Sequence, residues 1–210
     1  MPATSSAQLF LVDSVNVDDA ALAKSAAWLS AGEAARYRGF VRPHRQRQFL
    51  IGRTLLRMAL AELLGCAPEA LLFEQLAGRA PRLLKPAPGK GGAAPGFSIS
   101  HSGQWVACAV SADSALGLDI EVLDPARDID ALAEHAFDDA THARWRAAAP
   151  AQRMEQFYRL WSEREARLKL GQSPGEPAPS CLVLPHPELS VVLCSALPLA
   201  VAPRIELRAL

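Results

Sequence analysis

The 210-residue sequence has no apolar run near the ~20 residues a membrane-spanning helix needs, and no basic segment leading into an apolar one opens it. A membrane partner is not expected, and the expected location is the cytoplasm. Charge of either sign is not in excess: 22 Lys and Arg balance 22 Asp and Glu. No overall field recruits nucleic acid, so none is expected as a partner, and any anion site must be local. Cysteines are few. Cys66, Cys108, Cys181 and Cys194 form no C-x-x-C pair and sit among apolar residues, so reduced core thiols are expected rather than a zinc site or a disulfide framework. His44, His135, His142 and His186 show no zinc-ligand spacing. There is no G-x-S-x-G nucleophile elbow, and the glycine run at 89–92 lacks the Ser or Thr of a phosphate-binding P-loop.

What is present is apolar material, half of the residues, which suffices for one large or two small cores. Residues 8–12 read as a strand. Ser30 and Glu33 form a capping box that should start a helix. Helical spacing of Phe49, Leu56, Ala59, Leu60, Leu63 and Leu64 predicts a helix over 45–64, closed by Gly65 and basic on its other side. The Pro- and Gly-rich stretch 83–96 predicts a surface loop. Alternation over 97–111 predicts a hairpin with Phe97, Ile99, Trp105, Ala107 and Ala109 on one side. A strand over 115–122, an alanine-rich helical stretch, a helix over 154–170 ended by Gly171, and two apolar runs at 181–184 and 189–193 complete the order. The halves 1–111 and 112–210 repeat a loose sequence of strand, helices and hairpin strands. The expected architecture is α+β, with two similar lobes of small antiparallel sheets packed with helices.

Three segments can carry chemistry. In G-L-D-I-E at 117–121, strand alternation sends Asp119 and Glu121 to one face, where two like charges call for solvation or a bound cation. Alone, such a pair also fits a solvated edge. In W-S-E-R-E-A-R-L-K at 161–169, helical spacing aligns Trp161, Glu165 and Lys169 in one stripe that the Trp161 ring should turn inward. Read alone, Glu165 and Lys169 are also an ordinary surface pair. His101, after Ser100 in F-S-I-S-H-S at 97–102, could bond an anion or a backbone carbonyl.

Taken in order, these segments resemble the three signature motifs of the Sfp-type 4′-phosphopantetheinyl transferases. The likeness extends upstream through the Arg-rich helix and G-R-A-P-R-L at 78–83. The resemblance implies a pseudo-twofold α+β monomer that moves the phosphopantetheine arm of coenzyme A to a serine of an acyl or peptidyl carrier protein, releasing 3′,5′-ADP. It implies magnesium, or manganese in its place, on Asp119, Glu121 and Glu165. Glu165 is then the general base, with Glu121 or a metal-bound water as alternatives, and Lys169 the cation that stabilises transferred charge. Ser100, His101, Arg79 and Lys169 would hold coenzyme A phosphates, with Arg47 or Arg53 adding contacts. The chain departs from the pattern at Ser98, where Asn is usual, at Ala80, at Thr141, and at Gln172 and Ser173 after the Lys. A metal-dependent pyrophosphate hydrolase and a non-catalytic carrier-binding module remain the competing readings of the same residues.

Overall fold

An unbroken apolar run, Leu9 to Val12, buried on both faces, builds the first strand, β1 (Gln8–Asp13), and the caps Asp18 and Ser30 then start α1 (Asp19–Ser25) and α2 (Ala31–Arg38). The capping box expected at Ser30 is formed: Ser30 N–H donates to Glu33 Oε2 at 2.9 Å, and Ser30 Oγ accepts from Glu33 N–H. There follow α3 (Pro43–Leu64), β2 (Leu72–Glu74), β3 (Arg82–Lys85), and the hairpin β4 (Gly96–Ser102) and β5 (Trp105–Ser111). The second half comprises β6 (Leu116–Val122), α4 (Ile129–Ala136), α5 (Asp139–Arg146), α6 (Arg153–Leu170), β7 (Ser180–Leu184), β8 (Leu189–Ser195) and β9 (Ile205–Leu207). The computed structural model describes residues 4–75, 80–86, 94–171 and 178–210. Both long helices end on a left-handed glycine, Gly65 and Gly171, a conformation that costs glycine no Cβ clash.

The strands form a four-stranded sheet in the order β4-β5-β1-β9, a β2-β3 ribbon and a three-stranded sheet β6-β8-β7. Every pairing is antiparallel except β1 with β9. The result is the expected α+β arrangement of small sheets packed with helices. The 111/112 boundary falls between β5 and β6, and β9 crosses back over it to join the first sheet. One core lies between α3 and the first sheet, around Ile51, Leu55, Leu56, Phe10 and Val106. A second lies between the two sheets, where Leu9, Leu11, Ala107 and Ala109 meet Leu118, Ile120, Val191 and Leu193.

Three expectations are corrected. Residues 83–85 belong to β3, because Phe73 and Glu74 supply a partner ladder that composition does not reveal; residues 87–93, with the glycine run, lie outside the described residues. The hairpin faces are also different. The turn at Gly103 and Gln104 sets Ser102 opposite Trp105, so Phe97 and Ile99 share their face with Val110 and Cys108, while Ser98 and Ser100 share theirs with Ala109 and Ala107. Finally, Cys181 and Cys194 are joined by a disulfide, since β7 and β8 pair them directly opposite each other. They are 13 residues apart in sequence, and only the register brings them together.

The serine face of β4 joins the two sheets without a backbone ladder. Leu118, Ile120 and Val122 N–H donate to Ser98, Ser100 and Ser102 Oγ at 2.9, 3.2 and 3.1 Å. Three hydroxyls at alternate positions thus satisfy the alternate amides of the β6 edge.

The α2–α3 packing depends on a buried ion cluster. Glu33 is fully buried and accepts from Arg57 Nη1 and Nη2 at 3.1 and 2.5 Å, with Arg53 Nε 3.4 Å away. Burial pushes the Glu33 carboxyl up, but the Arg57 hydrogen bonds and charge, the Ser30 N–H and the Arg53 charge outweigh it and leave the pKa below its ordinary value. A carboxylate lowered by folding contributes stability above its unfolded pKa and loses it as pH falls through the folded value. Glu33→Gln, which strands Arg57, should therefore cost about 3–5 kcal/mol in denaturant unfolding at neutral pH. Its stability should also fall less steeply below about pH 5 than that of the native chain.

Candidate active site

Helix α6 can lie against β6 because Gly117 has no side chain. A Cβ there would sit 1.9 Å from the Ala166 carbonyl oxygen and 2.7 Å from Leu170 N. That close approach brings the stripe Trp161, Glu165, Lys169 along the strand face that carries Asp119 and Glu121. Lys169 Nζ donates to Asp119 Oδ1 at 2.7 Å and to Ser100 Oγ at 2.8 Å, and Ser100 Oγ donates to Asp119 Oδ1 at 3.1 Å. About two turns toward the helix start, Trp161 lies beside Glu121, close enough to favour its charged form. Glu121 Oε2 also accepts from Ser102 Oγ at 2.8 Å, and Arg127 Nη1 lies 3.9 Å away.

The carboxylates are short of positive charge. Asp119 is buried, and its Oδ2 has no hydrogen-bond partner. Burial pushes the Glu121 carboxyl above its ordinary pKa; the Asp119 charge adds to this, and the Ser102 bond, Arg127 and the neighbouring Trp161 only partly offset it. A free buried oxygen and a second destabilised carboxylate fit a hard divalent cation such as Mg²⁺. Glu165 lies on the same stripe, between the residues that touch Glu121 and Asp119, and its Oε1 is bonded to Arg164 Nη1 at 3.2 Å. Among the described residues no three His, Cys, Asp or Glu side chains are gathered as a metal cluster, so Asp119 and Glu121 form the core of the site and Glu165 stands beside it.

A cavity of about 640 Å³ opens from Lys169 toward the first lobe, between β4 and α3. The charged side chains that line it are cationic, Arg36, Arg45, Arg53, Arg82 and Lys169, with His101 beside them. Arg36 and Arg53 flank the Phe49 ring at 5.7 and 5.0 Å from its centroid. Arg53 is almost wholly buried, and its Nε and Nη1 have no hydrogen-bond partner. Burial lowers its pKa to about 10, with the Arg36 and Arg57 charges adding to the fall and Glu33 opposing it. Arg45 Nη1 lies 3.2 Å from His101 Nδ1. Partial burial, then Arg45 and Lys169, push the His101 pKa below its ordinary value, with Asp119 opposing. The ring is therefore mostly neutral near pH 7 and can serve as a hydrogen-bonding group.

The structure thus brings Asp119, Glu121, Lys169, Ser100, His101 and Arg53 together around one junction. Ser100 does not face the cavity; its hydroxyl is spent on Asp119, Lys169 and the Ile120 amide. Arg47 is elsewhere, bonded to the Ser14 and Val17 carbonyls and paired with Asp19. Arg79 lies outside the described residues. Sequence reasoning missed Ser102, Gly117, Arg36 and Arg45 as site residues. The alternating serines of F-S-I-S-H-S carried the signal for Ser102, but the wrong hairpin face hid it. Gly117→Ala should force α6 off β6, with a loss of about 1–3 kcal/mol or more from overpacking. Thermal unfolding checks this, and a variant as stable as the native chain would contradict the contact.

Residues 17–113 match the family model described as 4′-phosphopantetheinyl transferase, N-terminal, and residues 115–177 match that of the 4′-phosphopantetheinyl transferase superfamily. Among curated proteins, the chain is 34% identical over 146 residues to 4′-phosphopantetheinyl transferase HetI of Nostoc sp., covering 69% of this chain and 60% of HetI. It is 32% identical over 176 residues to 4′-phosphopantetheinyl transferase AcpT of Salmonella typhimurium, covering 79% of this chain and 85% of AcpT. It is 32% identical over 143 residues to the 4′-phosphopantetheinyl transferase of Bacillus subtilis, covering 67% of this chain and 59% of that protein. The matched region thus spans about three-fifths of the HetI and Bacillus proteins and most of AcpT. With two consecutive family matches and a relative aligned over most of both chains, this protein belongs to the 4′-phosphopantetheinyl transferase superfamily.

Proposed function

We propose that this protein transfers the 4′-phosphopantetheine arm of coenzyme A to a serine of an acyl or peptidyl carrier protein and releases 3′,5′-ADP. The observation that carries the reading is the junction of Lys169, Asp119 and Ser100 at the mouth of a cationic cavity. Its four arginines, His101 and Lys169 suit the phosphates of coenzyme A, and the Phe49 face lies among them. Names carried by HetI, AcpT and the Bacillus protein point the same way.

In this reading Asp119 and Glu121, with Glu165 completing the set from α6, hold Mg²⁺, or Mn²⁺ in its place. The ion supplies charge neutralisation to the pyrophosphate. Lys169, held by Asp119 and Ser100, is oriented toward the cavity and stabilises negative charge as the serine oxygen attacks the β-phosphate. Glu165 takes the serine proton as the new oxygen–phosphorus bond forms and the bond to 3′,5′-ADP breaks. Half-exposed on α6, it is reachable by a macromolecular hydroxyl in a way the buried Asp119 is not.

The carrier is expected on the same helix. A groove of about 500 Å³ between α5 and α6 is lined by Arg144, Arg164 and Arg167, which outnumber Asp138 and the Arg167-paired Glu163, and by Leu168, which is 62% exposed. Basic and apolar character one residue from Lys169 suits an acidic carrier surface. The protein acts as a cytoplasmic monomer in this reading; no helix among the described residues is long and apolar enough to cross a membrane.

Incubation with coenzyme A, Mg²⁺ and a panel of apo carriers should add one phosphopantetheine mass to a carrier serine. Coenzyme A breakdown without any carrier would instead favour a hydrolase, and binding without turnover a non-catalytic module. Asp119→Ala should abolish the mass gain. Lys169→Ala should lower kcat by about 10²–10³-fold, the cost of removing a group that stabilises the transition state. Rising salt should raise the KM for carrier more than the KM for coenzyme A.

A further inference from the structure

The serine face of β4 does more than join two sheets. Each of its three hydroxyls accepts from a β6 amide, at Leu118, Ile120 and Val122. A hydroxyl has a single proton, and once its lone pair accepts an amide, that proton is left for another partner. Ser100 gives it to Asp119 Oδ1 at 3.1 Å and Ser102 gives it to Glu121 Oε2 at 2.8 Å. In both cases the carboxylate belongs to the β6 residue just before the donating amide. The same register would aim Ser98 at the side chain of residue 117, which is glycine, so among the described residues Ser98 makes only the amide contact. One repeated device therefore serves two carboxylates and, at its third repeat, none.

Ser100 is also tied to Lys169, whereas Ser102 bonds only the Val122 amide and Glu121. We propose that Ser102 is a positioning residue for the metal site: its hydroxyl, held in direction by the Val122 amide, locks Glu121 in the orientation from which it binds the cation. This inference rests on the magnesium reading above. A carboxylate ligand oriented by an outer hydrogen bond loses less rotamer freedom on binding the ion, and such partners typically govern metal affinity by about 10–100-fold. A merely structural role predicts something else. Removing any zipper hydroxyl would then leave one amide unsatisfied and lower stability, with no selective effect on the metal.

Ser98 separates the two, because it has the amide contact and no carboxylate. The experiment is Mn²⁺ binding to the metal-free enzyme, read by electron paramagnetic resonance of free Mn²⁺, with thermal unfolding alongside. Ser102→Ala and the near-isosteric, weakly donating Ser102→Cys should each weaken Mn²⁺ binding about 10–100-fold. Ser102→Thr, which keeps the hydroxyl, should restore most of it. Ser98→Ala should lower the unfolding temperature and keep native Mn²⁺ affinity. Coenzyme A affinity measured without metal should be the same in the Ser102 variants as in the native enzyme. Native Mn²⁺ affinity in folded Ser102→Cys, or an equal loss in Ser98→Ala, would overturn the proposal while leaving the magnesium reading intact. A native enzyme that binds no Mn²⁺ would overturn both.

Discussion

Two carboxylates two residues apart on one strand face, buried to the degree of Asp119 and Glu121, repel each other and lose hydration. The rest of the structure is arranged around that cost. Lys169 supplies a cation to one oxygen of Asp119, Ser100 and Ser102 supply neutral donors, and Trp161 stands beside Glu121. These contacts leave Asp119 Oδ2 without a partner, and that remaining deficit of positive charge is what makes the place a candidate cation site. The α6 residues reach the strand only because the helix lies almost on the backbone of β6, which the bare Cα of Gly117 permits. The disulfide-bonded cysteines and Val192 pack under Ala166 and keep the helix at that height.

The first lobe balances its buried charge differently. Around Glu33 the carboxylate is the minority partner of two guanidiniums, and the Arg57 fork satisfies it directly. Arg53 has only a 3.4 Å ion pair from Nε to the same carboxylate and is left with Nη1 lacking a hydrogen bond on the wall of the cavity. One lobe therefore presents surplus positive charge and the other surplus negative charge, and the cavity lies between them. A polyanion bound with a divalent cation would relieve both. This complementarity is a property of neither lobe alone, and the neutral net charge of the chain conceals it.

Most elements were legible as periodicity. The strands at 8–13, 96–102, 105–111 and 116–122 and the helices at 43–64 and 153–170 follow from local patterns of two and 3.6 residues, with caps at Ser30, Gly65 and Gly171. The pairing of Glu165 and Lys169 with the Asp119 strand was legible only through the order of three motifs. Pairings between distant segments were not legible. β3 needed β2, and β9 returns to β1 from the far end of the chain. The Cys181–Cys194 link needed the β7–β8 register. The hairpin faces were misjudged by a single residue of register, and with period two that moves every side chain to the opposite face.

By itself, then, the sequence determined the two-residue spacing that puts Asp119 and Glu121 on one strand face and the four-residue spacing that lines up Trp161, Glu165 and Lys169 on one helix. Both are consequences of local backbone geometry. Tertiary structure alone decided that Lys169 reaches Asp119, that Arg53 lines the cavity while Arg47 is spent on the N-terminal segment, and that the β4 serines face β6. Those outcomes depend on register and on the distance of closest approach between elements far apart in the chain, and local propensity carries no information about either.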